Sequence, residues 1–565
     1  MKAFRPPALP DQLTAVVLAL IVGLGFLGDG LRIDRALLPY PPELLQPALQ
    51  KAVVTGDLSS KELFRGNLSM GDKYNQSLTW DRITKDRLLA AELPLWTRDI
   101  ASGVPFVPQM GQVYHPFNLL LLALPSSGVY GVWYLLHMVL MGFFAYRFMR
   151  RVRISHAAAL FGMVALLAGF WLQARVHHNV MLSAVLPVFA MLSCTHHILV
   201  HGGRGGHMAM LALATGMSWI CGFAPASLMC TYLVSVYALL LLPDCPRGQH
   251  ISGLFRFGTA IAVGLLLAGA QVGPVLLAAA ETSRGPATIE LLSQRSMEWS
   301  HLASAVWPTL FSWPADHFYP DGRIHNTWAS LAFLDKELYQ AGFNFPETAF
   351  YIGLAPLSLL LTGLRHRLGW FFGTAGLLGL AMALGLLLPL SSYLPGAHFG
   401  DIKRFLLLFG VCMPVVAAIG LDRILDGERG RLPLLLLGLV GTISLGLALL
   451  HLYPAASLQR VYGPLAEQRV NLPAGTFEQW IAGFPGEGEA NRAHLLQSFI
   501  TALLACILAI LALFRIGRHT APLLILASLA ELLYLGAGTT VAIPVERLNH
   551  PPKILQPILQ AEQAN

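Results

Sequence analysis

Residues 403–423 read KRFLLLFGVCMPVVAAIGLDR: two cations, an unbroken apolar run from Phe405 to Leu421, then Asp422 and Arg423. A helix over that run rises ~26 Å, close to the ~30 Å of hydrocarbon in a bilayer. The flanking charges sit where headgroups and water begin. Similar runs recur at about 13–27, 129–149, 155–172, 180–200, 207–223, 226–243, 257–280, 347–364, 368–388, 432–452, 495–514 and 521–541. With 405–421 they make thirteen candidate spans and predict an all-α polytopic membrane protein. Gly222 and Pro225 leave 207–243 readable as two spans or as one broken span.

Composition agrees with this reading. Of 565 residues 55% are hydrophobic and 12% charged, about half the charge of a soluble domain. That excludes a soluble enzyme, a disordered chain, a disulfide scaffold and a nucleic-acid binder. The net charge of +7 needs no polyanion, because cytoplasmic loops of membrane proteins carry surplus arginine. Cys194, Cys221, Cys230, Cys245, Cys412 and Cys506 lie in or beside apolar stretches with no CxxC pair, so they read as packing residues.

Arginine placement orients the chain. With the N-terminus cytoplasmic and the first helix uncleaved, the inner loops hold Arg150, Arg151 and Arg153; Arg204; Arg247 and Arg256; Arg365 and Arg367; Arg423, Arg429 and Arg431; Arg515 and Arg518. The outer short loops hold only Arg175, Lys403 and Arg404. Merging the pair at 207–243 inverts every later loop and destroys that asymmetry. Three long segments then face outward: 28–128, 281–346 and 453–494. In the first, Arg65–Ala91 interleaves apolar and charged residues at helical spacing, and Phe117–Pro125 is too short to span and reads as re-entrant or interfacial.

Almost no Asp, Glu, Lys or Arg lies within the spans. Charge gathers at their outer mouths, which favours chemistry at the outer boundary over a through-path. The first outer segment supplies Asp29, then Met70-Gly71-Asp72-Lys73-Tyr74-Asn75-Gln76, Trp80-Asp81-Arg82, Leu93-Pro94-Leu95-Trp96, Gly103-Val104-Pro105 and Tyr114-His115-Pro116-Phe117-Asn118-Leu119. Downstream come Ala174-Arg175-Val176-His177-His178-Asn179, Gln271-Val272-Gly273-Pro274, Ser283-Arg284-Gly285, Glu347-Thr348-Ala349-Phe350-Tyr351-Ile352-Gly353 and Lys403-Arg404-Phe405-Leu406.

This order resembles the YfhO-like bacterial membrane proteins of the GT-C superfamily, glycosyltransferases that use polyprenyl-phosphate sugars. The resemblance covers roughly residues 10–425. It departs at Thr97-Arg98, where an Asn-Pro-like pair is usual, and at Cys221–Pro225, which replaces a Gly-His-x-Gln-like segment. It implies a GT-C-like bundle with a catalytic module over 1–425, including outer loops 28–128 and 281–346. Residues 426–565 follow as C-terminal transmembrane helices with outer loop 453–494. It implies an enzyme of the bacterial inner membrane that moves a sugar from a polyprenyl-phosphate carrier to a cell-envelope polymer, lipid or protein on the extracytoplasmic side.

Such a transfer needs one carboxylate to take the acceptor proton and cations to hold the departing phosphate. Asp72 matches the family's Gly-Asp and is the expected base, with Asp29 second; Asp81, Asp86 and Asp99 read as solvated or salt-bridged faces. Arg404 is the expected phosphate contact, joined by Lys403, Arg284 and Arg175. His115, Tyr114, His178 and Glu347 complete the expected substrate-binding set. The pair His177-His178 hints at a divalent cation, but no carboxylate stands at ligand spacing, so no metal site is assigned and no cofactor is certain. The alternative is a lipid or polysaccharide transporter or flippase without bond chemistry.

Overall fold

The computed structural model describes residues 8–40, 42, 70–98, 102–109, 112–123, 128–203, 205–279, 287–310, 345–391, 393–394, 401–428, 430–454, 457–458, 485–514, 517, 519–536 and 541–546. The chain is mostly helical. It begins with α1 (Leu9–Leu27) and β1 (Arg35–Leu38). A π-helical turn (Lys73–Leu78) leads into α2 (Thr79–Leu89), and the short strands β2 (Trp96–Thr97) and β3 (Val104–Pro105) pair with each other. Then come α3 (Leu119–Ala123), α4 (Val129–Arg151), α5 (His156–Leu167), α6 (Phe170–Gln173), α7 (Asn179–Val185), α8 (Val188–Val200), α9 (Gly206–Trp219), α10 (Ala224–Leu240), α11 (His250–Leu267) and α12 (Gly269–Ala279). The second half contains α13 (Ile289–Gln294), α14 (Phe345–Thr348), α15 (Leu354–Gly363), α16 (Arg367–Ala383), α17 (Leu388–Ser391), α18 (Leu406–Leu425), α19 (Arg431–Leu450), α20 (Pro485–Phe514), α21 (Thr520–Gly536) and β4 (Val541–Pro544).

Every one of the thirteen apolar runs carries a helix. Among the described residues eight helical stretches are long and apolar enough to cross a membrane, and five apolar helices are shorter. The protein is therefore a multi-pass membrane protein. Leu435, Leu439 and Leu449 of α19, at 68%, 57% and 53% exposed, would be costly against water and cost nothing against lipid. Where helices meet, small residues let backbones approach: a Cβ added to Gly420 of α18 would strike the Leu359 carbonyl of α15.

One detail settles the open choice in the sequence pattern in favour of two spans, and two others differ from it. At 207–243 the chain forms two helices folded back on each other. Ser227 Oγ donates to the Ser218 carbonyl and Trp219 Nε1 donates to Thr231 Oγ1 at 3.1 Å, contacts that a continuous helix would hold ~14 and ~18 Å apart. The expected span 257–280 is split at Ala268 into α11 and α12. The helix expected at 495–514 begins at Pro485, because Glu, Ala and Arg favour helix without adding hydropathy.

The helices alternate in direction, so loops collect at two ends. At one end Ser155 N donates to Asp422 at 2.9 Å and Arg367 pairs with Asp244 at 2.8 Å. The other end carries β1, the π turn, 174–178, 220–223, Glu347 and 401–405. There β1 and β4 pair antiparallel, with Arg35 opposite Pro544 and Leu38 opposite Val541. Ala36, Leu38, Tyr40, Tyr74 and Ile543 form a small core over that end.

Candidate functional site

The Gly71-Asp72 turn after β1 does something the sequence did not announce. Gly71 accepts from the Tyr74 and Asn75 amides, each at 3.0 Å, and the widened π turn that follows points Lys73 inward. π turns are frequent at functional sites. Asp72 stays on the exposed side, close enough to Tyr40 to help burial push that phenol up to about 12. Lys73 is 1% exposed. Its Nζ donates to Asn179 Oδ1 at 2.9 Å and lies 3.2 Å over the Tyr130 ring. The Tyr130 hydroxyl donates to the partly buried Asp81 carboxylate. Burial pushes the Lys73 ammonium below its ordinary range and Asp81 partly restores it; burial pushes Asp81 up, against Tyr130 and Lys73.

A second group forms where α5 and α6 end. Trp171 is seated on α18 because Gly410 has no side chain; a Cβ there would lie 2.7 Å from Trp171. Arg175, fully buried, stands 4.8 Å over the Trp171 ring, gives NH1 to the Trp171 carbonyl at 3.3 Å, and pairs through NH2 with Glu347 Oε2 at 3.5 Å. Burial lowers Arg175 to about 10, with Glu347 and Asp401 raising it and Arg404 lowering it.

Just before α18, Asp401 caps the turn by accepting from Lys403 N at 2.9 Å, and its carboxylate lies 3.7 Å from the buried Lys403 Nζ. Arg404 lies 5.0 Å from the Phe223 ring. His178 feels Arg175, Arg404 and Lys73 together; burial and these cations push it to about 3. His177 is lowered by burial and Lys73.

Lys73, Arg175, Arg404 and His178 thus form one electrostatic neighbourhood, with Glu347, Asp401 and Lys403 at its edge. Inside it the donors Arg175 Nε, Arg404 Nε and Trp171 Nε1 are buried and make no hydrogen bond among the described residues, and neither do the ring nitrogens His177 Nδ1 and His178 Nδ1; Arg175 NH2 has only its 3.5 Å ion pair with Glu347. Buried donors without acceptors are costly, and donors converging from cations suit a phosphate-like anion.

His115 belongs to a neighbouring network. It caps the turn before α3, accepting from Phe117 N at 3.4 Å, and is stacked 6.3 Å from His137. His137 Nε2 meets Ser183 Oγ at 3.1 Å, which donates to Gln112 Oε1 at 3.3 Å. Burial lowers His115 to about 4. Helix α7 joins the two networks, bearing Asn179 toward Lys73 and Ser183 toward His137. Tyr114 is half-buried, its phenol raised by burial. Asp29 is exposed in the turn after α1, where its carbonyl accepts from Arg32 N at 3.1 Å. Arg284 lies outside the described residues.

Lys73, Tyr130, Asp81 and Asp401 are functional candidates that sequence reasoning missed. Asp81 in particular is drawn into the Lys73 contact instead of standing on a solvated face. The available signal was the lone lysine between Gly71-Asp72 and Tyr74, with nothing to tell burial from exposure. Among the described residues no group of three or more His, Cys, Asp or Glu side chains could hold a metal ion.

No protein-family model matches the chain, and no curated protein matches it. Two solved structures are similar at low level. One is ArnT from Cupriavidus metallidurans bound to undecaprenyl phosphate: 14% identity, 93% of this chain and 76% of that one covered, TM-score 0.43. The other is ArnT from the same organism in the apo state: 13% identity, 82% and 71% covered, TM-score 0.40. These TM-scores are too low to assign a shared fold or activity.

Proposed function

We propose that the protein is a membrane glycosyltransferase of the GT-C type. It takes a sugar from a polyprenyl-phosphate carrier and transfers it to an envelope polymer, lipid or protein on the extracytoplasmic side of a bacterial inner membrane, with the N-terminus in the cytoplasm. One observation carries this reading: the buried Nε donors of Arg175 and Arg404, which make no hydrogen bond, gathered beside His178 and Lys73 at the end of the bundle opposite its arginine-rich loops. A donor phosphate at the headgroup plane would accept from them, and the same contacts would strengthen as charge builds on the leaving phosphate.

Lys73 adds a buried cation on the side of the first outer segment. In this reading Asp72, next to Lys73 on the exposed side of the turn, takes the acceptor proton. Asp29 is the second candidate and Asp81 a third, the acid nearest the buried lysine. Glu347 sets Arg175, while Tyr114 and His115 border the sugar cleft.

The test is transfer from a radiolabelled lipid-linked sugar in membranes holding equal amounts of wild type, Asp72→Asn, Asp81→Asn and Asp29→Asn. Loss in Asp72→Asn alone supports the assignment. Undiminished transfer removes Asp72 from the role. Lipid translocation in sealed vesicles without any transfer would favour the flippase.

A further inference from the structure

One acid lies well inside a membrane helix. Glu531 of α21 is 7% exposed, and an ionisable group at such depth is expensive unless it is paired. Its partners come from a distant part of the chain. One carboxylate oxygen accepts from the Tyr351 hydroxyl, and the two oxygens lie 3.2 and 3.3 Å from the Leu354 amide. Leu354 is the first residue of α15, and that helix has no side-chain cap of its own. Gly353 before it sits at φ +98°, strained for any residue with a side chain, and a Cβ there would lie 3.4 Å from Glu531 Oε2. Glu531 therefore supplies the missing cap from α21, its side-chain oxygens accepting at the positive end of α15.

The contacts continue from there. The Tyr351 carbonyl accepts from Phe170 N at 2.8 Å, and the two rings meet edge to face at 5.6 Å. Phe170 opens α6, and the same turn ends with Arg175 N donating to the Leu172 carbonyl at 3.2 Å. On its other side Tyr351 is four residues after Glu347, the partner of Arg175. A single carboxylate thus braces both backbones that present the Arg175–Glu347 pair.

We propose that Glu531 is a positioning residue for Arg175, which makes the last membrane helix part of the site. This rests on the reading of Arg175 as a lipid-phosphate contact. The carboxylate touches neither substrate nor Arg175; it acts by holding Tyr351 and the start of α15.

The experiment uses the full chain in nanodiscs, undecaprenyl phosphate as probe, and the variants Glu531→Gln and Glu531→Leu, alone and with Arg175→Met. We expect Glu531→Leu to weaken binding about tenfold and Glu531→Gln about threefold, with both losses nearly vanishing in the Arg175→Met background, since residues acting through one another are not additive. A merely structural cap would give the same loss in both backgrounds, and that result overturns the proposal.

Amide hydrogen exchange supplies the second arm. Glu531→Leu should accelerate exchange in peptides covering 168–178 as well as 350–356, while 406–425 stays unchanged. Acceleration confined to 350–356 also overturns the proposal. Should wild type bind no undecaprenyl phosphate, the lipid-phosphate reading falls, and the exchange arm still decides whether Glu531 positions Arg175. Should Glu531→Leu fail to fold, the isosteric Glu531→Gln carries both arms.

Discussion

The two ends of the bundle are both basic, yet they use their cations differently. At the end bearing Arg150, Arg151, Arg367 and Arg423, guanidinium groups lie at the surface or half-buried and each has a local partner, although Arg150 Nε and Arg423 Nε are buried without a hydrogen bond. Arg367 meets Asp244 at 2.8 Å, Arg423 meets Glu428, and Arg150 donates to the Ile154 carbonyl at 2.6 Å. At the other end Arg175, Lys73 and Lys403 are buried, and the Arg175 Nε makes no hydrogen bond among the described residues. The first arrangement suits anchoring and orientation, since exposed pairs contribute ~0–1 kcal/mol each. The second concentrates positive charge where its desolvation is already complete, which is what an anionic ligand needs. Counting arginines finds the first end. Burial finds the second.

The contrast can be broken by paired substitutions. Arg175→Met should lower sugar transfer about 100- to 1,000-fold, the usual cost of losing a charge-stabilising donor, while Arg367→Met changes transfer less than about twofold. Equal effects at the two ends, measured at matched protein levels, would erase the distinction. Next in size, Lys73→Met should reduce transfer about 10- to 100-fold by leaving Asp81 buried without its cation. If Lys73→Met, Asp81→Asn regains part of the loss, the pair is a unit.

Gly410→Val should push Trp171 off α18 and destabilise the fold by about 1–3 kcal/mol; a melting temperature equal to wild type would contradict the close approach. The smallest effect concerns pH. The unfolded His115 takes up its proton near 6.5 and the folded one near 4, so the unfolded chain binds the extra proton in between. Stability from this residue is complete above about 6.5 and declines toward pH 4. His115→Gln should flatten thermal stability against pH in that window, and an unchanged profile would place the slope elsewhere.

Most of the fold was legible because the hydrocarbon slab imposes one period and one length on every span. The run ending at Leu421 and the arginines that recur at alternate helix ends need no tertiary information. The site was legible in part. Arg404, Lys403, Arg175 and Glu347 stand at helix mouths, where flanking apolar runs fix their depth. Lys73 was invisible because its burial depends on a π turn that shifts the helical phase, which no spacing rule anticipates. Glu531 was hidden by its neighbours: one acid in an apolar run barely alters hydropathy, and the amide it caps lies 177 residues away in sequence.

The pairing of β1 with β4 sets a timetable for the molecule. Val541–Pro544 leave the ribosome some 500 residues after Arg35–Leu38, about 25 to 100 seconds later at ordinary elongation rates. Through that interval the patch of Ala36, Leu38, Tyr40 and Tyr74 lacks the Ile543 side chain that completes it, and Tyr74 is the residue beside Lys73. Truncation just before Val541 would spare every described membrane helix and still leave the small core beside Lys73 one strand short.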